Sequence, residues 1–209
     1  MGTRADAWII ERAQRDLEEG IHHTLERIRA SHPNPFVWRP MEAAVTAAIR
    51  GLQLRHRYHE DVKLLLSLAH RVADGEDPAA LAEENLARAV HLRELSFVVR
   101  EKDPAFAPIL AAAQRTFALR LPDLARMARV EDAASYDEVV RRAFPDRKEV
   151  EAIVASNRAY TLELVEHLEK HPHLLRVPPS WIPRFADVAR EIIDWQTARI
   201  LKALDTIYA

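Results

Sequence analysis

The sequence predicts an all-α fold: a single helical bundle of six to seven helices, mostly antiparallel neighbours, carried by residues 1–209 as one domain. Three observations predict it. Apolar residues recur at three- and four-residue spacing through most of the chain, no stretch alternates as a strand does, and Asp-Pro, Ser-x-x-Glu and Gly signals punctuate the periodic runs.

The first helix is expected over residues 4–30, with Ile10, Ala13, Leu17, Ile21, Leu25 and Ile28 on one stripe. Its Glu and His residues form a ladder, since Glu18 and His22, Glu19 and His23, and His22 and Glu26 are each four apart. Three prolines between His32 and Pro40 then break the helix, and Phe36 and Trp38 are expected to plug the bundle end. The longest helical reading follows, over 41–73. Its apolar stripe through Met41, Val45, Ile49 and Leu52 continues into His56, His59, Lys63 and His70. A second stripe through Tyr58, Val62, Leu65, Leu68 and Val72 takes over on the opposite side, as for a helix that crosses obliquely and bends at Gly51.

Gly75, Asp77 and Pro78 stop that helix and start the next, over 79–101, which is apolar on two faces. Asp103-Pro104 opens a helix over 104–130 that Pro122 kinks or splits. Ser135 with Glu138 and Asp146 with Glu149 match the capping box, introducing helices over 136–144 and 147–170. Asn157 lies at the centre of the apolar stripe of the second, as a buried amide fixing register. His167 and His171 suit its negative C-terminal end. The last helix, 180–208, turns Trp181, Phe185, Val188, Ile192, Gln196 and Ile200 inward, and apolar surface left exposed on it would favour a homodimer.

Composition narrows the function. Hydrophobic residues at 48% can fill a core, while 30 basic against 32 acidic residues and a net charge of −2 offer no basic surface for nucleic acid. The absence of cysteine removes disulfides, thiolate zinc sites and cysteine nucleophiles. With four glycines and no Gly-rich phosphate loop, no nucleotide cofactor is expected. No charged-then-apolar leader and no apolar run of the ~20 residues that a span needs are present, so the chain reads as cytoplasmic, without a membrane partner.

The residue types that remain able to do chemistry are histidines and carboxylates. Folding the first three helices as antiparallel neighbours brings Glu19 and His56 within about one turn of the same height. It also places His59 level with Glu94, with His91 close by. One layer then holds Glu19, His22, His56, His59, Glu60, His91 and Glu94. Imidazoles and carboxylates from facing helices are what iron, manganese and zinc sites in bundles use, and Glu19 with His22 has their Glu-x-x-His step. His56 with Glu60 has the His-x-x-x-Glu step of hemerythrin-like bundles, but no His-x-x-x-x-Asp step closes that set, and no family is assigned. The leading expectation is a transition-metal site of redox or hydrolytic type. The alternative is a non-catalytic regulatory or binding module that recognises a small ligand or a protein partner through helix faces.

Overall fold

The computed structural model describes residues 3–85 and 103–209. Among them are eight α-helices and no strand: α1 (Arg4–Ala30), α2 (Pro35–Gly51), α3 (Leu54–Ala73), α4 (Pro78–Asn85), α5 (Ala107–Ala128), α6 (Tyr136–Ala143), α7 (Arg147–Lys170) and α8 (Ile182–Ile207). The all-α class stands, with more helices than the six to seven expected. Of the helix expected over 79–101, the part beyond Asn85 lies outside the described residues. No helix among the described residues is long and apolar enough to cross a membrane.

The largest difference from expectation is in the 41–73 run, which is two helices. Gly51 ends α2, Gln53 takes a left-handed conformation at φ 51°, and α3 restarts at Leu54. Glycine weakens the helix there, and the left-handed residue re-aims the chain. This break is why two apolar stripes lie on opposite azimuths. Met41 and Val45 of α2 pack with Ile28 and Val188, whereas Val62 and Leu66 of α3 enter a separate core.

Prolines also act differently from expectation. Pro35 occupies the first turn of α2, where its missing N–H costs nothing, and the Asn34 side chain accepts the Phe36 N–H at 3.0 Å. Pro40 and Pro122 both lie inside helices, α2 and α5, that continue past them. Starting α2 at Pro35 swings Phe36 outward, 84% exposed, so it does not plug the end; Trp38, two residues on, packs against the Ile28, Met41 and Val188 cluster instead. Asn157 is exposed rather than buried, as are Gln196 and Ile200, because α8 buries Ala186, Ile193 and Leu204 as well as Val188.

Helix α1 lies at the centre of these contacts. The Thr3 hydroxyl accepts the Asp6 N–H at 3.1 Å, while the Thr3 N–H donates to Asp6 Oδ2 at 2.7 Å, a reciprocal cap. Along one flank Asp6 meets His70 at 3.0 Å, Gln14 meets His59 at 2.7 Å, and Arg29 donates to Glu42 at 2.7 Å. Rising numbers on α1 pair with falling numbers on α3 and α2, so the neighbours are antiparallel. Along the other flank His23 stacks on Trp195 at 4.3 Å and Arg27 pairs with Glu191, which sets α8 antiparallel as well. Ala5 and Ile9 meet Val62, Leu66, Met127, Val139 and Leu204 in the main core. A second core of Leu68, Leu81, Phe117 and Leu121 joins α3, α4 and α5.

Tyr136 packs against the main core beneath Arg12, whose guanidinium carbon lies 5.3 Å from the ring centre. Burial pushes its phenol up to about 12, and Arg12 offsets only part of that rise. Burial likewise raises Tyr58. The folded protein holds these phenolic protons more tightly than the unfolded chain does. Their contribution is therefore fully present below the ordinary tyrosine pKa of about 10 and is lost as pH rises through the folded value. In urea titrations, stability is expected to fall on the order of 2 kcal/mol between pH of about 10 and 12, and Tyr136→Phe is expected to flatten most of that fall.

Candidate functional site: an apolar cavity between four helices

Each residue of the expected metal layer has a definite place. Glu19 accepts from Arg199 Nη1 at 2.6 Å, so its partner is on α8 rather than α3. His22 is exposed and lies 3.1 Å from Glu26 on its own helix. His56 is exposed, and partly buried His59 meets Gln14. Glu60 pairs with Lys63 at 3.2 Å, which with lesser help from His59 and His56 holds its carboxyl below the usual range. His91 and Glu94 lie outside the described residues. Among the described residues no three histidines or carboxylates converge closely enough to hold a metal ion.

Along α1 and α3 the neighbouring heights agree with those expected for Glu19 and His56, while the azimuths do not, and the heights of His91 and Glu94 lie outside the described residues. Gln14 with His59 and Glu18 with Arg55 show α1 and α3 meeting at the predicted level, but the groups that meet are an amide with an imidazole and a carboxylate with a guanidinium. Arg55 donates from Nη2 to Glu18 Oε2 at 2.8 Å and holds that carboxyl below its ordinary pKa. A planar guanidinium takes a carboxylate at two points, and arginines claim the acids that the histidines needed.

The histidines near the end of α7 serve as ties. His167 Nε2 lies 2.7 Å from the Ala105 carbonyl, and His173 Nε2 lies 3.3 Å from Asp103. Both link this end of the molecule to the turn before α5, which for His167 is a role beyond the expected attraction to the helix dipole. His171 lies between them, its ring 4.5 Å from that of His167 and 5.9 Å from that of His173.

The feature suited to a ligand is elsewhere. A partly open cavity of about 520 Å³ lies between α1, α2, α7 and α8, with Leu175 and Val177 of the loop that joins α7 to α8 also on its lining. Its walls are Ile28 of α1, Val45 of α2, Val165 and Leu168 of α7, and Ile182, Phe185, Ile192 and Ile193 of α8. The space exists because the residues facing it are short: Ala44 and Ala48 on α2, Ala186 and Ala189 on α8, and Thr24 and Thr161 on α1 and α7. These short side chains leave the space between the four helices unfilled. Volume and apolar lining both fall in the range of small-molecule sites, about 300 to 1,000 Å³.

Of the four polar side chains on the lining, Gln196 makes no hydrogen bond among the described residues and the other three are engaged. The Thr24 hydroxyl donates to the Gly20 carbonyl at 2.7 Å and the Thr161 hydroxyl to the Asn157 carbonyl at 2.8 Å. Glu169 is held by Arg190, which donates to it from both terminal nitrogens. No signal of period or motif marks these residues in the sequence. The available hint is that alanine and threonine recur on the faces that α2, α7 and α8 turn toward one another.

A His56→Ala, His59→Ala double variant is expected to unfold within about 0.5 kcal/mol of wild type, as surface substitutions do. Its metal content by elemental mass spectrometry is expected to equal that of wild type, whereas a loss of several kcal/mol together with loss of a bound metal would restore the layered site. No protein-family model, no curated protein and no solved structure matches the chain.

Proposed function

We propose that the protein is a non-catalytic binding module that takes a small, largely apolar ligand into the cavity between α1, α2, α7 and α8. One observation carries this reading: a space of about 520 Å³ whose walls are largely aliphatic and aromatic and whose hydroxyls and carboxylate are satisfied within the protein, leaving the Gln196 amide as the one unengaged polar side chain among the described lining residues. The pocket is partly open to solvent, so its apolar walls meet water, and an apolar occupant would replace that water with dispersion contacts. The ligand in turn leaves water, at about 25 cal/mol per Å² of apolar surface buried.

The same lining argues for binding over catalysis. Acid–base or nucleophilic chemistry needs a proton donor, acceptor or nucleophile within hydrogen-bond reach of the substrate. Here the two threonine hydroxyls give their protons to helix carbonyls, and the carboxylate is committed to a guanidinium. This reading takes the chain as one helical-bundle domain acting in the cytoplasm, with α1 as the shared wall of its cavity and its core.

Trp38 and Trp181 pack against the cluster that forms one side of the cavity, so an occupant is expected to change tryptophan emission. Titration with the uncharged probe N-phenyl-1-naphthylamine is expected to give saturable, one-site fluorescence and, at a hundredfold excess over Kd, about 2.7 kcal/mol of added stability. Ala189→Trp and Val165→Phe, each checked for retained helicity, are expected to abolish the signal by filling the space. Equal binding in both filled variants, or no saturable binding in wild type, would overturn the assignment.

A further inference from the structure

The chemistry of the ligand's other end can be read from what adjoins the cavity. A second, polar recess of about 300 Å³ opens where α1 ends and α8 begins, lined by Arg27, Ser31, Ser180, Arg184 and Glu191 among others. Val188 lines both spaces. It lies four residues after Arg184, hence on the same flank of α8, so the apolar cavity and the recess adjoin beside Val188.

The recess has charges of both signs, but they are not equally engaged. Arg27 pairs with Glu191, and Asp187 lies 3.6 Å from Arg190. Arg184 differs. Among the described residues it forms no ion pair and no hydrogen bond, and its Nη1 is buried from solvent without a partner. A guanidinium nitrogen withdrawn from water without an acceptor is unfavourable, and an anion on the remaining face of the group compensates it better than a neutral acceptor does. Glu191 is held by Arg27 and Asp187 lies within ion-pair reach of Arg190, which leaves Arg184 open to an anion from outside the chain.

Resting on the reading of the cavity as a binding site, we propose that the ligand is a linear amphiphile with an anionic head, its tail in the apolar cavity and its carboxylate on Arg184. Ser180 brings a hydroxyl to the same recess as a second contact for the head group. A purely apolar ligand would leave Arg184 as it is; a cationic head would meet an uncompensated positive charge at the mouth.

Isothermal titration calorimetry with dodecanoate and dodecan-1-ol separates the two ideas, because the tails are identical and only the head differs. Wild type is expected to bind dodecanoate at least about tenfold more tightly than the alcohol. Arg184→Gln is expected to bring dodecanoate down to the level of the alcohol while leaving the alcohol's affinity unchanged, and Arg184→Lys to retain part of the preference. Equal affinities for acid and alcohol in wild type, or a preference that survives Arg184→Gln, would overturn the anionic-head assignment and leave the cavity reading intact. Failure of both compounds to bind wild type would overturn the cavity reading, and this inference with it. Should Arg184→Gln fail to fold, the acid-to-alcohol ratio in wild type and Arg184→Lys still decides the matter.

Discussion

The rest of the structure depends on α1 being gripped along two flanks at once. On one side Asp6, Gln14, Glu18 and Arg29 meet His70, His59, Arg55 and Glu42 in falling order along α3 and α2. On the other, Asp16, Glu19, His23 and Arg27 meet Arg199, Trp195 and Glu191 along α8. Singly, such part-exposed pairs contribute little, with a median near 0 to 1 kcal/mol. Their value is in register: every pair on a flank agrees on one alignment, and a slip of one turn would break all of them while displacing Ala5, Ile9 and Ile28 from their cores.

That grip also determines where the molecule is solid and where it is hollow. Near its start, α1 meets Val62, Met127, Val139 and Leu204, and four other helices interdigitate around it. Near its end it faces α2, which the left-handed Gln53 has separated from α3, and there the neighbouring faces present alanines. The break at Gly51 to Gln53 thus lets one run of sequence serve two cores, and α2 becomes a wall of the cavity rather than an extension of α3. Most of the chain's basic residues are arginine rather than lysine, and forked guanidinium contacts such as those of Arg55 and Arg199 help hold helices in register.

Signals written in adjacent residues were legible in the sequence. Ser135 and Asp146 cap the helices they were expected to cap, each side chain accepting a backbone N–H two or three residues on, whereas Asp103 caps a single 3-10 turn over Pro104–Phe106 that precedes α5. Gly75 takes its positive φ after α3. What was not legible depended on direction around a helix. Counting residues along α1 and α3 set neighbouring heights for Glu19 and His56, but the azimuth decides whether a carboxylate meets an imidazole or an arginine: Glu18 meets Arg55 and Glu19 meets Arg199. Gln53 has no side-chain signature that announces a left-handed residue, so the chain break had Gly51 as its single hint. The cavity was hidden for a related reason: Ala48, Ala186 and Ala189 look like ordinary helix formers until four helices place them opposite one another.

The most direct test of the central claim is a methyl NMR titration of the protein with dodecan-1-ol. If the cavity takes the tail, the shifts concentrate on Ile28, Val45, Val165, Ile192 and Ile193, while Leu121 and Val139 in the closed cores stay in place. Shifts confined to exposed Leu110 and Leu119, or spread evenly over cavity and core alike, would contradict it.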